Sequence, residues 1–86
     1  MAPPTTGVEW TQRAKRILKA EMHRRGVSYK ELAEALRARG AGPTANEANI
    51  RNQINRGGFG AGFFIECCLA MGSYVVRLAE PEEDGR

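Results

Sequence analysis

Four apolar stripes, each stopped by glycine, constrain this chain more than any other feature of its sequence. Trp10, Ala14, Ile17, Leu18 and Met22 recur at helical spacing, and Gly26 follows them. Tyr29, Leu32, Ala33 and Leu36 form a second stripe, closed by Gly40, Gly42 and Pro43. Ile50 and Ile54 form a third, closed by Gly57 and Gly58. Phe63, Phe64, Ile65, Cys67, Cys68, Leu69 and Met71 form a fourth, closed by Gly72. The spacing predicts helices over 8–25, 28–39, 45–56 and 59–71. In a chain of 86 residues this pattern fits one small all-α domain of four to five helices around a modest core.

Two of the helix starts are signalled locally. Ser28 with Glu31 has the spacing of a reciprocal capping box, and Val27 can staple against Leu32. Thr44 with Glu47 has the same spacing and is expected to cap the third helix. After Gly72 the period changes. Ser73–Tyr74–Val75–Val76–Arg77–Leu78 is rich in β-branched and aromatic residues and reads as a short C-terminal extended segment or strand. Pro3, Pro4 and Gly7 make residues 1–7 a disordered N-terminus by expectation. The domain is expected over 8–78, with an acidic tail over 79–86.

The formal net charge is +3, but it is unevenly placed. Glu80, Glu82, Glu83 and Asp84 crowd the tail, so residues 1–79 hold 12 Lys/Arg against 6 Asp/Glu, about +6. A basic body suits a nucleic-acid partner. No apolar run approaches the ~20 residues of a membrane span, and the N-terminus lacks the apolar region of a signal peptide. The expected location is cytoplasmic. Adjacent Cys67 and Cys68 point about 100° apart on a helix, so they read as free buried thiols.

No catalytic or metal constellation is visible. His23 is the single histidine and has no ligand spacing to the cysteines. Ser28 and Ser73 lie at structural punctuation, without a nucleophile motif. Gly57–Gly58–Phe59–Gly60 lacks the Lys-Ser/Thr pair of a nucleotide loop. The chain is therefore read as a non-enzyme without a cofactor.

The third helix carries the functional signal. With Ile50 and Ile54 inward, Asn49, Asn52 and Arg56 fall outward, and Asn46 and Gln53 lie at the margin. Asn is a mediocre helix former, yet Asn46, Asn49, Asn52 and Asn55 are all here. Asn and Gln bond adenine bidentately, Arg bonds guanine, and all bond phosphate. Asn46, Asn49, Asn52, Gln53 and Arg56 are the expected base contacts on double-stranded DNA. Ser28, Lys30 and Thr44, near helix starts, are the expected phosphate contacts. Glu21 breaks the first apolar stripe and needs a cation, with Arg25 or Arg56 as candidates.

The fourth helix is apolar nearly all the way round, which so short a chain cannot cover. Ile65, Cys68, Leu69, Tyr74 and Val76 are the expected interface of a homodimer.

The order of parts resembles the Cro/phage-repressor type of helix-turn-helix domain. Ser28–Tyr29–Lys30–Glu31–Leu32–Ala33–Glu34–Ala35–Leu36 is similar to the family's first motif helix. Ile50 to Gly57, with its Arg-Gly end, is similar to its recognition helix. Cys67–Cys68–Leu69–Ala70–Met71–Gly72 is similar to a later helix ending on an apolar residue and Gly. The segment between Ala33 and Ile50 is longer than the family's tight turn. The chain also resembles a group of small uncharacterised bacterial proteins sharing Trp10, Tyr29, Leu32–Ala33, Arg56–Gly57, Phe59 and Phe63–Phe64. The resemblance implies a lambda-repressor-like fold and a DNA-binding transcriptional regulator. The competing expectation is a protein–protein interaction module of the same fold. RNA binding is disfavoured, because the phenylalanines that could stack on bases sit in a segment that reads as buried.

Overall fold

The computed structural model of the chain describes residues 7–79. The expectations for residues 1–6 and for the acidic residues 80–86 lie outside that range. The described residues form four helices and no strand: α1 (Gly7–Arg25), α2 (Tyr29–Ala38), α3 (Glu47–Arg56) and α4 (Ala61–Ala70). The first helix begins one residue earlier than the stripe predicts, so Gly7 belongs to it and not to an irregular N-terminus. The fourth is shorter at both ends, because Phe59 and Gly60 stay in the linker and Met71 is its C-cap.

Both α1 and α2 pack on α3 and on α4. The core at their junction takes Leu18 and Met22 from α1, Leu32, Ala33 and Leu36 from α2, and Ile50 and Ile54 from α3. Ala45 from the α2–α3 link and Cys67 and Cys68 from α4 complete it. Trp10 leaves the stripe: it is 50% exposed, and the Arg13 guanidinium lies 5.7 Å from its ring centroid. A stripe that fits one period over five turns overshoots the end of the surface that covers it.

Local chemistry sets where the helices stop. At the end of α4 the Gly72 amide donates to the Leu69 carbonyl at 3.0 Å, and the Ser73 amide donates to Cys68 at 2.8 Å. This is the Schellman arrangement, with Gly72 at φ +77°. The same pair of bonds closes α1 at Gly26 and Val27, and α2 at Gly40 and Ala41. Helix α3 ends differently, at Gly57 (φ +73°), and a Cβ there would stand 2.8 Å from Thr11 Cγ2. Glycine lets the last turn of α3 tuck against α1.

Residues 73–79 form no strand. β-branched residues favour a pleated, half-buried surface, but among the described residues there is no second strand to pair with. Val76 alone of Tyr74, Val75 and Val76 packs against the core; Tyr74 and Val75 stay exposed. Phe59 folds back on the first turns of α4, 5.5 Å from the Phe63 ring and stacked on Phe64 at 6.3 Å. No helix among the described residues is long and apolar enough to cross a membrane.

Candidate functional site

The α2–α3 link fixes how α3 is presented. Ala45 is buried, and its carbonyl accepts from Arg37 Nη1 at 2.6 Å. That pins the chain one residue before the cap. The cap is Asn46, not Thr44: its side-chain oxygen accepts from the Asn49 amide at 2.9 Å. Thr44 contributes its carbonyl instead, which accepts from Asn49 Nδ2 at 2.9 Å. Both spacings satisfy the capping rule, and the buried Ala45 decides between them.

Along α3, Ile50 and Ile54 point into the core. Glu47, Ala48, Asn49, Arg51, Asn52 and Arg56 are exposed. Arg51 pairs with Glu47 and lies over the Tyr29 ring, 5.5 Å from its centroid. Asn55 is tied down twice: its Nδ2 donates to the Arg51 carbonyl at 3.0 Å, and its Oδ1 accepts from Lys19 Nζ at 2.9 Å. Four asparagines therefore divide into two kinds. Asn46, Asn49 and Asn55 bond locally, while Asn52 has no side-chain hydrogen bond among the described residues. Arg56 has no ion pair there either. Gln53 is half-buried and lines a cavity of about 190 Å³ with Thr44, Phe63 and Glu66. It lies on the α4 side of the outward face.

At the start of α2 the reciprocal box is formed. The Glu31 amide donates to Ser28 Oγ at 3.1 Å, and the Ser28 amide donates to Glu31 Oε1 at 2.9 Å. The bond from the Ser28 amide holds the Glu31 carboxyl below its usual range. Ser28 thus already faces an anion, while Lys30 next to it is exposed.

The carboxylate that breaks the first stripe finds a different partner from those expected. Glu21 is 3% exposed; it pairs with Arg24 and accepts a hydrogen bond from Ser73 Oγ. Neither Arg25 nor Arg56 takes that role. The Schellman turn at Gly72 aims the buried Ser73 at Glu21, so the α4 terminus is latched to α1 across 52 positions of sequence.

On α4, Ile65 and Leu69 are exposed, at 56% and 38%. Cys68 is not on that surface: it is buried in its own core beside Cys67. Burial raises both thiols, Cys67 to about 12 with help from the nearby Cys68 and Glu66. Such thiols stay protonated and unreactive at neutral pH. Val76 likewise faces its own core, whereas Tyr74, Val75 and Leu78 are exposed.

One feature escapes the helical reading. A groove of about 630 Å³ runs between α1 and residues 77–79, with Arg13, Arg16, Arg24 and Arg77 around Ile17 and Glu21. The positions of Arg13 and Arg16 off the apolar stripe are visible in sequence. That Arg77 joins them is not. Among the described residues no group of three His, Cys, Asp or Glu is placed to hold a metal ion.

These elements define a small all-α domain with one helix that presents amide and guanidinium groups outward. Residues 10–76 match the domain of unknown function DUF6471, and the chain belongs to that family. No curated protein and no solved structure matches the chain.

Proposed function

We propose that this chain is a sequence-specific DNA-binding protein of the lambda-repressor-like helix-turn-helix type, acting as a transcriptional regulator. In this reading α2 and α3 are the two motif helices, and α3 enters the major groove. The carrying observation is the pair Asn52 and Arg56. Both are exposed on the face opposite Ile50 and Ile54, and neither side chain is engaged by the described residues. An amide and a guanidinium one turn apart match the bidentate donors and acceptors of adenine and guanine edges. Asn49 and Gln53 flank them. Lys30, Thr44 and the basic body supply backbone contacts, which position without specifying.

The protein works as a homodimer in this reading. Ile65, Leu69 and Tyr74 are exposed apolar side chains that a second copy would cover. Two-fold symmetry then presents two α3 helices to half-sites one DNA turn, ~34 Å, apart. Selection from random duplexes at stated salt tests the whole reading. Recovery of a palindrome supports it, and a pool that stays random defeats it.

The same exposed apolar residues favour a second reading, an interaction module that binds a protein and not DNA. A salt-sensitive mobility shift with random duplex separates the two, since backbone contacts release counterions and apolar docking does not.

A further inference from the structure

The cavity of about 190 Å³ between the α2–α3 link and α4 has a mixed wall. Leu36, Ile50 and Phe63 are among its apolar residues, and Thr44, Gln53 and Glu66 are its polar ones. Glu66 is the single charged residue of α4 and the single charged residue of the lining. It is half-buried, and it makes no ion pair or hydrogen bond among the described residues. Its charge is felt next door, where it helps to raise the Cys67 thiol. Gln53 is half-buried too, and no described residue takes its side-chain amide. Arg37, the cation that anchors this link, bonds the Ala45 carbonyl and not Glu66. Other polar side chains around α3 are satisfied: Asn46, Asn49, Arg51 and Asn55 each have a partner. A carboxylate drawn partly out of water without a counter-charge costs free energy.

We propose that this cavity is a binding site for a small organic cation, a guanidinium or ammonium group on a short alkyl stem. The Glu66 carboxylate supplies the counter-charge, the Gln53 side-chain carbonyl accepts a second hydrogen bond, and the apolar wall takes the stem. Size limits the class. A cavity of ~150 Å³ holds benzene, whereas drug-sized ligands and cofactors need ~300–1,000 Å³. Charge limits it further. An anion would meet only a carboxylate, and a purely apolar molecule would leave Glu66 and Gln53 without partners. No second carboxylate joins Glu66 among the described lining residues, so a hard metal ion lacks the oxygen ligands it needs. Gln53 also belongs to the margin of the outward face of α3. An occupied cavity therefore withdraws that amide from the set α3 presents. The site rests on the cavity alone; it stands apart from the DNA-binding reading and survives its failure.

The probe is butylguanidinium, titrated into the full chain and followed by nitrogen–proton correlation NMR against matched sodium chloride. Saturable shifts are expected at Gln53, Glu66 and their neighbours, with a Kd of about 1 mM for so small a ligand. Glu66→Gln keeps the shape, removes the charge and should weaken binding by about tenfold or more. Gln53→Ala should weaken it by a smaller factor. Glu34→Gln removes the same charge from an exposed position of α2 outside the lining, and should leave the Kd unchanged. Butylurea, neutral and of similar shape, should bind about tenfold more weakly or worse. Three results overturn the inference: shifts that stay linear to about 20 mM, butylurea binding as tightly as the cation, or Glu66→Gln retaining the parent Kd. A Glu66→Gln spectrum unchanged away from the cavity shows that the fold is intact. Were that variant to unfold, the butylurea and Gln53→Ala comparisons would decide the matter by the same criteria.

Discussion

Helices α3 and α4 are each ten residues long, and each fully buries two side chains in the same core. They differ in what remains. Around Ile50 and Ile54, α3 leaves amides and guanidinium groups; around Cys67 and Cys68, α4 leaves Ile65 and Leu69. A four-helix core of this size reaches only one edge of a short helix. It therefore makes no demand on the outward residues of either helix, and their chemistry answers to something else. Polar groups outward cost nothing in water, whereas two large aliphatics outward call for cover.

The comparison breaks most easily at its inward side. Ile54→Ala leaves a cavity against α1 and α2 and should cost about 2–5 kcal/mol in urea unfolding. A smaller loss would mean that the core collapses around the gap, so that α3 is not held by its buried edge. Next in size is Leu69→Glu. Monomer stability should fall by only about 1 kcal/mol, because Leu69 is 38% exposed and lies outside the buried core. Self-association should weaken by about 2 kcal/mol or more if this surface is the dimer contact, as sedimentation reads directly. A dimer indifferent to the charge would move the interface off α4.

Within α3 the asparagines sharpen the contrast. Asn52→Ala should lower affinity for a selected duplex by roughly 1–3 kcal/mol, with little loss on random DNA and none in stability. Asn46→Ala should do the reverse, removing a cap worth about 0.5–2 kcal/mol of stability. If the two variants behaved alike, the division between structural and presented amides would fail. The smallest effect belongs to Glu31. Its folded carboxyl titrates below its ordinary value of 4.5. The stabilisation it gives is therefore complete above pH 4.5 and is lost as pH falls through the folded value. Glu31→Gln should flatten the acid limb of the stability profile by slightly lowering stability at neutral pH, and leave the most acidic end unchanged, where both side chains are uncharged.

Features set by near neighbours were legible in the sequence, and features set by distant ones were not. The Ser28–Glu31 box lies within one turn, and every Schellman glycine sits directly after its stripe. Hence the four helices and the Ile50/Ile54 edge could be read directly. Thr44 lost the cap to Asn46 because Arg37, on the previous helix, pins the Ala45 carbonyl. The need of Glu21 for a partner was readable, but Ser73 was not, being brought near only by the turn at Gly72. The run Tyr74–Val76 carries strand propensity without a strand to pair with. Cys68 reads as surplus on an apolar helix until the packing of α4 against α1 and α2 turns it inward. Of the candidate site, the outward set on α3 was visible as a face. Which of its members are engaged was not, since bonds such as Lys19–Asn55 join residues 36 positions apart.

Helix α3 is clamped at both ends. Ahead of it, Arg37 holds the Ala45 carbonyl and Asn49 holds that of Thr44. Behind it, Gly57 sits against Thr11, and Lys19 grips Asn55. A segment so confined has already given up most of its conformational entropy in the free protein. Whatever surface it meets, the helix backbone has little disorder left to lose, and the ordering cost falls on outward side chains such as Asn52 and Arg56.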